Sequence, residues 1–172
     1  MTPQPQTLSS EKKLIVGVGD MKVSTDPTMP IYTYALGSCI GITIYDPNVK
    51  IGGMLHFMLP QPGKENKRTD LNPFMFGSTG IPSLFKHCYS LGAVKERLIV
   101  CAAGGAEVMT HGKAFAIGDR NRTIMRKIFW KNNIILAAEE TGGNDARTMV
   151  LDLETGEVRL KIRGKESVLW KP

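Results

Sequence analysis

Two alternating runs on either side of Asp46-Pro47-Asn48 constrain this chain more than any other feature. Ile40, Ile42 and Ile44 alternate with Gly41, Thr43 and Tyr45, while Leu55, Phe57 and Leu59 alternate with Met54, His56 and Met58 until Pro60. Period-two alternation marks strands with two distinct faces. Asp-Pro-Asn between them is turn chemistry, because Pro fixes φ and Asn tolerates a tight backbone. The segment therefore reads as an antiparallel hairpin. If Asp46 to Val49 form its loop, Tyr45 faces Lys50, Ile40 faces Leu55 and Cys39 sits directly across from His56. A one-residue slip would put His56 among the isoleucines, which the pattern forbids.

Directly opposed residues have Cβ atoms ~4.5–5.5 Å apart, within reach of a sulfur-to-imidazole contact. A neighbouring imidazolium would shift a thiol toward the nucleophilic thiolate. The tight approach Leu36-Gly37-Ser38 would bring backbone N–H groups together, those of Gly37, Ser38 and Cys39, as a site for an oxyanion. Gly37 and Gly41 would leave room for a substrate side chain. On pattern alone Cys39 stands evenly between a nucleophile and a small buried hydrophobe. Cys88 falls on the apolar face of a helix and Cys101 inside an apolar strand, so both read as core. His87 points about 100° away from Cys88 on that helix, and His111 reads as a surface loop residue.

The remaining elements describe one α+β domain with mixed or antiparallel sheets and two to three helices, preceded by a polar tail over residues 1–12. Strands are expected at Leu14–Val18, Ile31–Leu36, Leu98–Ala103, Ile134–Ala138, Thr148–Leu153 and Glu157–Ile162. Gly77 and Gly80 disturb a helix that Asn72-Pro73 would cap, leaving its later part, Ile81 to Cys88, with Gly92 as terminator. A second helix is expected over Asn121–Lys131. Gly118, Arg120 and Asn121 read as a turn and helix cap, and the glycines at 104–105 and 142–143 as backbone geometry.

Composition removes several function classes. No apolar run reaches the ~20 residues of a membrane span, and no export signal precedes Lys12, so a cytoplasmic location is expected. Three cysteines without a C-x-x-C spacing argue against a disulfide framework or zinc site, and no metal or cofactor is expected. The net charge of +6 favours acidic partners, but the basic residues are scattered, Lys64–Arg68 excepted, so nucleic acid is not expected.

At Thr33-x-x-Leu36-Gly37-Ser38-Cys39 and Gly53-Met54-x-His56-x-Met58-Leu59-Pro60 the chain resembles the chemoreceptor glutamine deamidase family, CheD. The likeness continues through Gly104-Gly105-Ala106, Ile117-Gly118-x-Arg120-Asn121 and Gly142-Gly143-Asn144. It departs from the family at Asp145-Ala146-Arg147, where x-Gly-Arg is usual, and at Gly77-Ser78-Thr79-Gly80, which breaks a helix the family keeps. The resemblance implies that Cys39 is the nucleophile, His56 the base, and Thr33 the support of the histidine. It also implies the reaction, hydrolysis of receptor glutamine side chains to glutamate. The partners it implies are the cytoplasmic domains of chemotaxis receptors and, where present, the CheC phosphatase. Two other readings use the same residues: another Cys–His acyl hydrolase or transglutaminase, and a non-catalytic adaptor.

Overall fold

The computed structural model describes residues 12–65, 68–107 and 116–172. The expected tail, Lys12 excepted, and His111 lie outside them. The strands are β1 (Leu14–Val16), β2 (Asp20–Ser24), β3 (Ile31–Leu36), β4 (Ile40–Asp46), β5 (Ile51–Phe57), β6 (Ile99–Gly104), β7 (Ala138–Thr141), β8 (Arg147–Leu151), β9 (Val158–Ile162) and β10 (Lys165–Trp170). The helices are α1 (Gly77–Ser90) and α2 (Ile117–Lys131). The strands form two five-stranded sheets, β1-β3-β8-β9-β10 and β2-β5-β4-β6-β7. β1 runs parallel to β3 and β6 parallel to β7, so both sheets are mixed and the α+β expectation holds.

Three layers follow from two cores. Met149, Leu151, Val158 and Leu160 of the first sheet pack against Tyr45, Met54 and Cys101 of the second. On its other face the second sheet presents Ile40, Ile42, Ile44, Leu55 and Phe57 to Ile81, Leu84, Phe85 and Cys88 of α1 and to Met125 and Phe129 of α2. β4 and β5 are therefore buried along their whole length on both faces. The isoleucine row faces the helices, and the face carrying His56 looks into the space between the sheets. Among the described residues no helix is long and apolar enough to cross a membrane.

The hairpin register differs from the expected one by two residues. Asp46 is not the first loop residue; it pairs with Ile51, and Pro47 to Lys50 make the turn, with Lys50 at φ 51°. The buried Asp46 carboxylate accepts from Asn48 N (3.0 Å), Val94 N (2.9 Å) and the Arg97 guanidinium. That network holds Asp46 in the strand. Ile40 consequently faces Phe57, and His56 faces Gly41 rather than Cys39. A shift of two preserves side-chain parity, so the sorting of residues onto faces survives.

Other boundaries moved for local reasons. β2 and β10 were not expected; Met21 and Val23 pack on the helix-side core, whereas β10 is an exposed edge. β7 begins at Ala138 because Ile134 and Leu136 cover the core from an extended segment before the ladder starts. Asn72 caps only a short 3₁₀ turn, Pro73–Met75. α1 is continuous through Gly77 and Gly80. A Cβ at Gly77 would lie 2.9 Å from the Phe57 ring and one at Gly80 3.1 Å from Leu55, so these glycines admit the helix onto β5 instead of breaking it.

Candidate active site

β3 supplies the first member. Thr33 and Leu36 both point inward although three residues apart, and a bulge between them, with Ala35 at φ 57°, accommodates the odd spacing. The bulge explains why this strand alternates only weakly in the sequence. Thr33 Oγ1 donates to the Val16 carbonyl at 2.7 Å and lies 2.8 Å from Nδ1 of His56. The hydroxyl has one proton, and Val16 takes it. His56 must then donate from Nδ1, which leaves Nε2 as the bare, basic nitrogen. Nε2 is buried and has no partner among the described residues.

His56 is 1% exposed, and burial pushes its pKa down to about 4. Burial also raises the Cys39 thiol, an effect its own backbone N–H partly offsets. At neutral pH both groups are therefore uncharged. The preformed imidazolium expected from the sequence is absent, because the space between the sheets disfavours either ion.

Cys39 stands two positions before Gly41, the residue across from His56, and packs against the core between the sheets. It is half-buried, whereas Cys88 and Cys101 are fully buried core residues with thiols pushed up to about 12 and about 11. Cys39 stands one residue outside the ladder, whose last pair is Ile40–Phe57, and is not directly opposed to His56 as the sequence predicts. The Gly41 position is not substrate space either. A Cβ there would lie 2.8 Å from Leu36 Cδ1 and 3.1 Å from Met149 Sδ, so the gap is filled by core side chains.

The Gly37–Cys39 segment is pinned by its carbonyls. Gly37 O accepts from Ala106 N (2.8 Å), Ser38 O from the Asn121 side chain (2.9 Å) and Cys39 O from Gly105 N (2.8 Å). Gly104, at φ 108°, permits this approach, since a Cβ there would sit 2.2 Å from Cys39 O. Gly37 N–H is spent on Ala35 O at 2.9 Å, so Gly37 is no oxyanion donor. Among the described residues, the backbone N–H groups of Ser38 and Cys39 bond no backbone carbonyl, and that of Cys39 supports its own sulfur.

Asn121 does not cap α2. It is 0% exposed, and its Nδ2 bridges Ser38 O and Met58 O, each at 2.9 Å. Gly118 makes this reach possible: a Cβ there would meet Ala106 O at 2.4 Å, so only glycine lets α2 lie against that segment. An Asn four positions before the first inward Met of an amphipathic helix carried the signal, but sequence alone gave it a cap. His87 is exposed and bonded to Ser83 O, apart from this site. No group of three or more potential metal ligands occurs among the described residues.

The chain is 48% identical over 151 residues to a protein of Syntrophus aciditrophicus named probable chemoreceptor glutamine deamidase CheD 1, covering 88% of this chain and 94% of that protein. It is 47% identical over 158 residues to a probable chemoreceptor glutamine deamidase CheD of Solibacter usitatus, covering 92% and 94%. An archaeal protein of the same name, from Pyrococcus horikoshii, is 40% identical over 152 residues, covering 87% and 92%. The family model described as CheD chemotactic sensory transduction matches residues 58–162, a span that includes Asn121 and begins just after His56. By that match and by these identities over most of its length, the chain belongs to the CheD family.

Proposed function

We propose that this chain is a protein-glutamine deamidase acting on chemoreceptors, with Cys39 as nucleophile, His56 as base and Thr33 as the residue that orients the base. The observation that carries the reading is the Thr33–His56 contact, which leaves Nε2 basic and bare in the space that Cys39 borders. The names of the relatives supply the substrate class. Cys39 and His56 face the same space between the sheets, and on this reading the sulfur and the imidazole meet there.

Both groups start neutral, so the proton moves as the bond forms. Nε2 of His56 takes the Cys39 proton while sulfur attacks the carboxamide carbon of the substrate glutamine. The carbonyl oxygen becomes an oxyanion facing the N–H groups of Ser38 and Cys39. Oxyanion and imidazolium appear together and offset each other in a site that disfavours either charge alone. The imidazolium then protonates the departing nitrogen, releasing ammonia and leaving a γ-glutamyl thioester. His56 next takes a proton from water, hydroxide adds to the thioester, and collapse restores the thiol and yields glutamate. The sum is glutamine plus water to glutamate plus ammonium.

The cytoplasm, recruitment to receptor arrays and a CheC-type phosphatase as a second partner belong to the same proposal, supported by the family alone. Intact-protein and peptide mass spectrometry of a receptor fragment tests it. Wild type should convert Gln to Glu, adding about 1 Da per event, and Cys39→Ala should not. Peptide-bond cleavage or cross-linking would indicate a different acyl transfer, and binding without any modification an adaptor.

A further inference from the structure

The strongest unassigned feature is the bridge made by Asn121, and it rests on the reading of Cys39 as nucleophile. The Ser38–Cys39 peptide is planar and trans, so its C=O and N–H point in opposite directions. Asn121 holds that C=O, and the same amide holds Met58 O at the end of the strand carrying His56. Two carbonyl oxygens on one side fix the orientation of the carboxamide, since an oxygen turned toward them would meet only acceptors. The paired ladder between β4 and β5 runs from Ile40–Phe57 to Asp46–Ile51. Asn121 thus links the two strands where the backbone ladder has ended. On the far side of the same peptide, the Cys39 N–H bonds no backbone carbonyl among the described residues and supports its own sulfur instead, while Cys39 O accepts from Gly105 N.

We propose that Asn121 is a positioning residue that aims and polarises the Ser38–Cys39 peptide, making the Cys39 N–H a stronger donor to the thiolate and to the oxyanion. A donor bound to a carbonyl draws charge across the peptide and strengthens the hydrogen bond its N–H can make. The bridge to Met58 O gives the same side chain a second task, keeping the nucleophile segment at a fixed offset from the histidine strand. Both tasks need the two amide hydrogens, not the shape of the side chain.

The test compares Asn121→Ala, the isosteric Asn121→Asp and the single-donor Asn121→Ser. The readouts are kcat and KM on a receptor fragment and the pH dependence of iodoacetamide labelling at Cys39, located by peptide mass spectrometry. Each variant is checked by circular dichroism and assayed well below its Tm. The expected result is a fall in kcat of roughly 10- to 100-fold, below the ~10²–10³ that losing an oxyanion donor outright costs, with little change in KM. The Cys39 labelling midpoint should move up by about half a pH unit or more. Asn121→Asp should be at least as impaired as Asn121→Ala, and Asn121→Ser should fall between wild type and Asn121→Ala. Folded variants with lowered Tm but wild-type kcat and labelling profile would overturn the proposal, leaving Asn121 a purely structural tie. Labelling requires no substrate. If Cys39→Ser kept its deamidase activity, the nucleophile assignment would fall while the Asn121 effect on thiol reactivity was still measured.

Discussion

Thr33 gives its only hydroxyl proton to the Val16 carbonyl and so can serve His56 only as an acceptor, 2.8 Å from Nδ1. A neutral hydroxyl thereby fixes a tautomer, the task an aspartate performs in Ser-His-Asp triads, without adding a charge to a buried site. Thr33→Val keeps the volume and removes the acceptor, leaving a buried N–H unpaired at a cost of ~1–3 kcal/mol. We expect kcat to fall on the order of 10- to 100-fold, short of the ~10⁴ lost when a charged triad member is neutralised. Thr33→Ser should recover most of the rate. Steady-state kinetics checks the loss, and nitrogen NMR of the imidazole should show Nδ1–H in wild type and a mixed tautomer in the valine variant.

Burial of His56 also sets a pH dependence. With its pKa near 4 in the folded protein and 6.5 in the unfolded chain, the unfolded state binds more protons between those values. Stability associated with this group is complete above about pH 6.5 and is lost as pH falls toward 4, by on the order of 3 kcal/mol. Chemical denaturation at a series of pH values should show that slope, and His56→Gln should flatten it. In the folded protein the acid limb of kcat/KM should lie below pH 5. A limb near 6.5 would show an ordinary histidine and contradict the burial argument.

Thiol reactivity should separate the three cysteines. Cys39 is the accessible one, while Cys88 and Cys101 are fully buried and their thiols are pushed up to about 12 and about 11. Iodoacetamide should label Cys39 first in native protein, and the rate should keep rising past pH 8.5, since burial raises this thiol too. Equal labelling of all three before unfolding would contradict the structure.

Gly104→Ala offers a backbone test. The residue sits at φ 108°, and the new Cβ would lie 2.2 Å from Cys39 O. Cβ atoms essentially never approach that closely, so the Gly37–Cys39 segment must move. We expect a Tm lower by several degrees, for a cost of ~1–3 kcal/mol, together with loss of deamidation. Gly92→Ala is the control: its φ is 110°, but a Cβ there would come no nearer than 3.9 Å to Ile51, far from the site. It should share the strain while retaining activity.

The sequence made the candidate site legible through parity. Alternation assigns Cys39 and His56 to one face and the isoleucines to the other, and those assignments survive a two-residue error in register. The error itself was not avoidable by pattern, because Asp46 reads equally well as a turn residue. Only its tertiary partners, Arg97 and Val94 N, keep it in the strand. Gly77 and Gly80 look like helix breakers until Phe57 and Leu55 are seen beneath them. Thr33 gained its role only from the family likeness. Asn121 was assigned to the wrong task because its partners, Ser38 and Met58, are distant in the chain.

β5, the strand bearing His56, is a wall shared by two separate interiors, one against the opposing sheet and one against the helices. Loosening either interior would disturb the strand that bears the imidazole. His56 therefore has no private region of softness to yield first on heating. Activity should vanish together with the global fold, and stabilising the helical side, remote from the chemistry, should prolong the working life of the site.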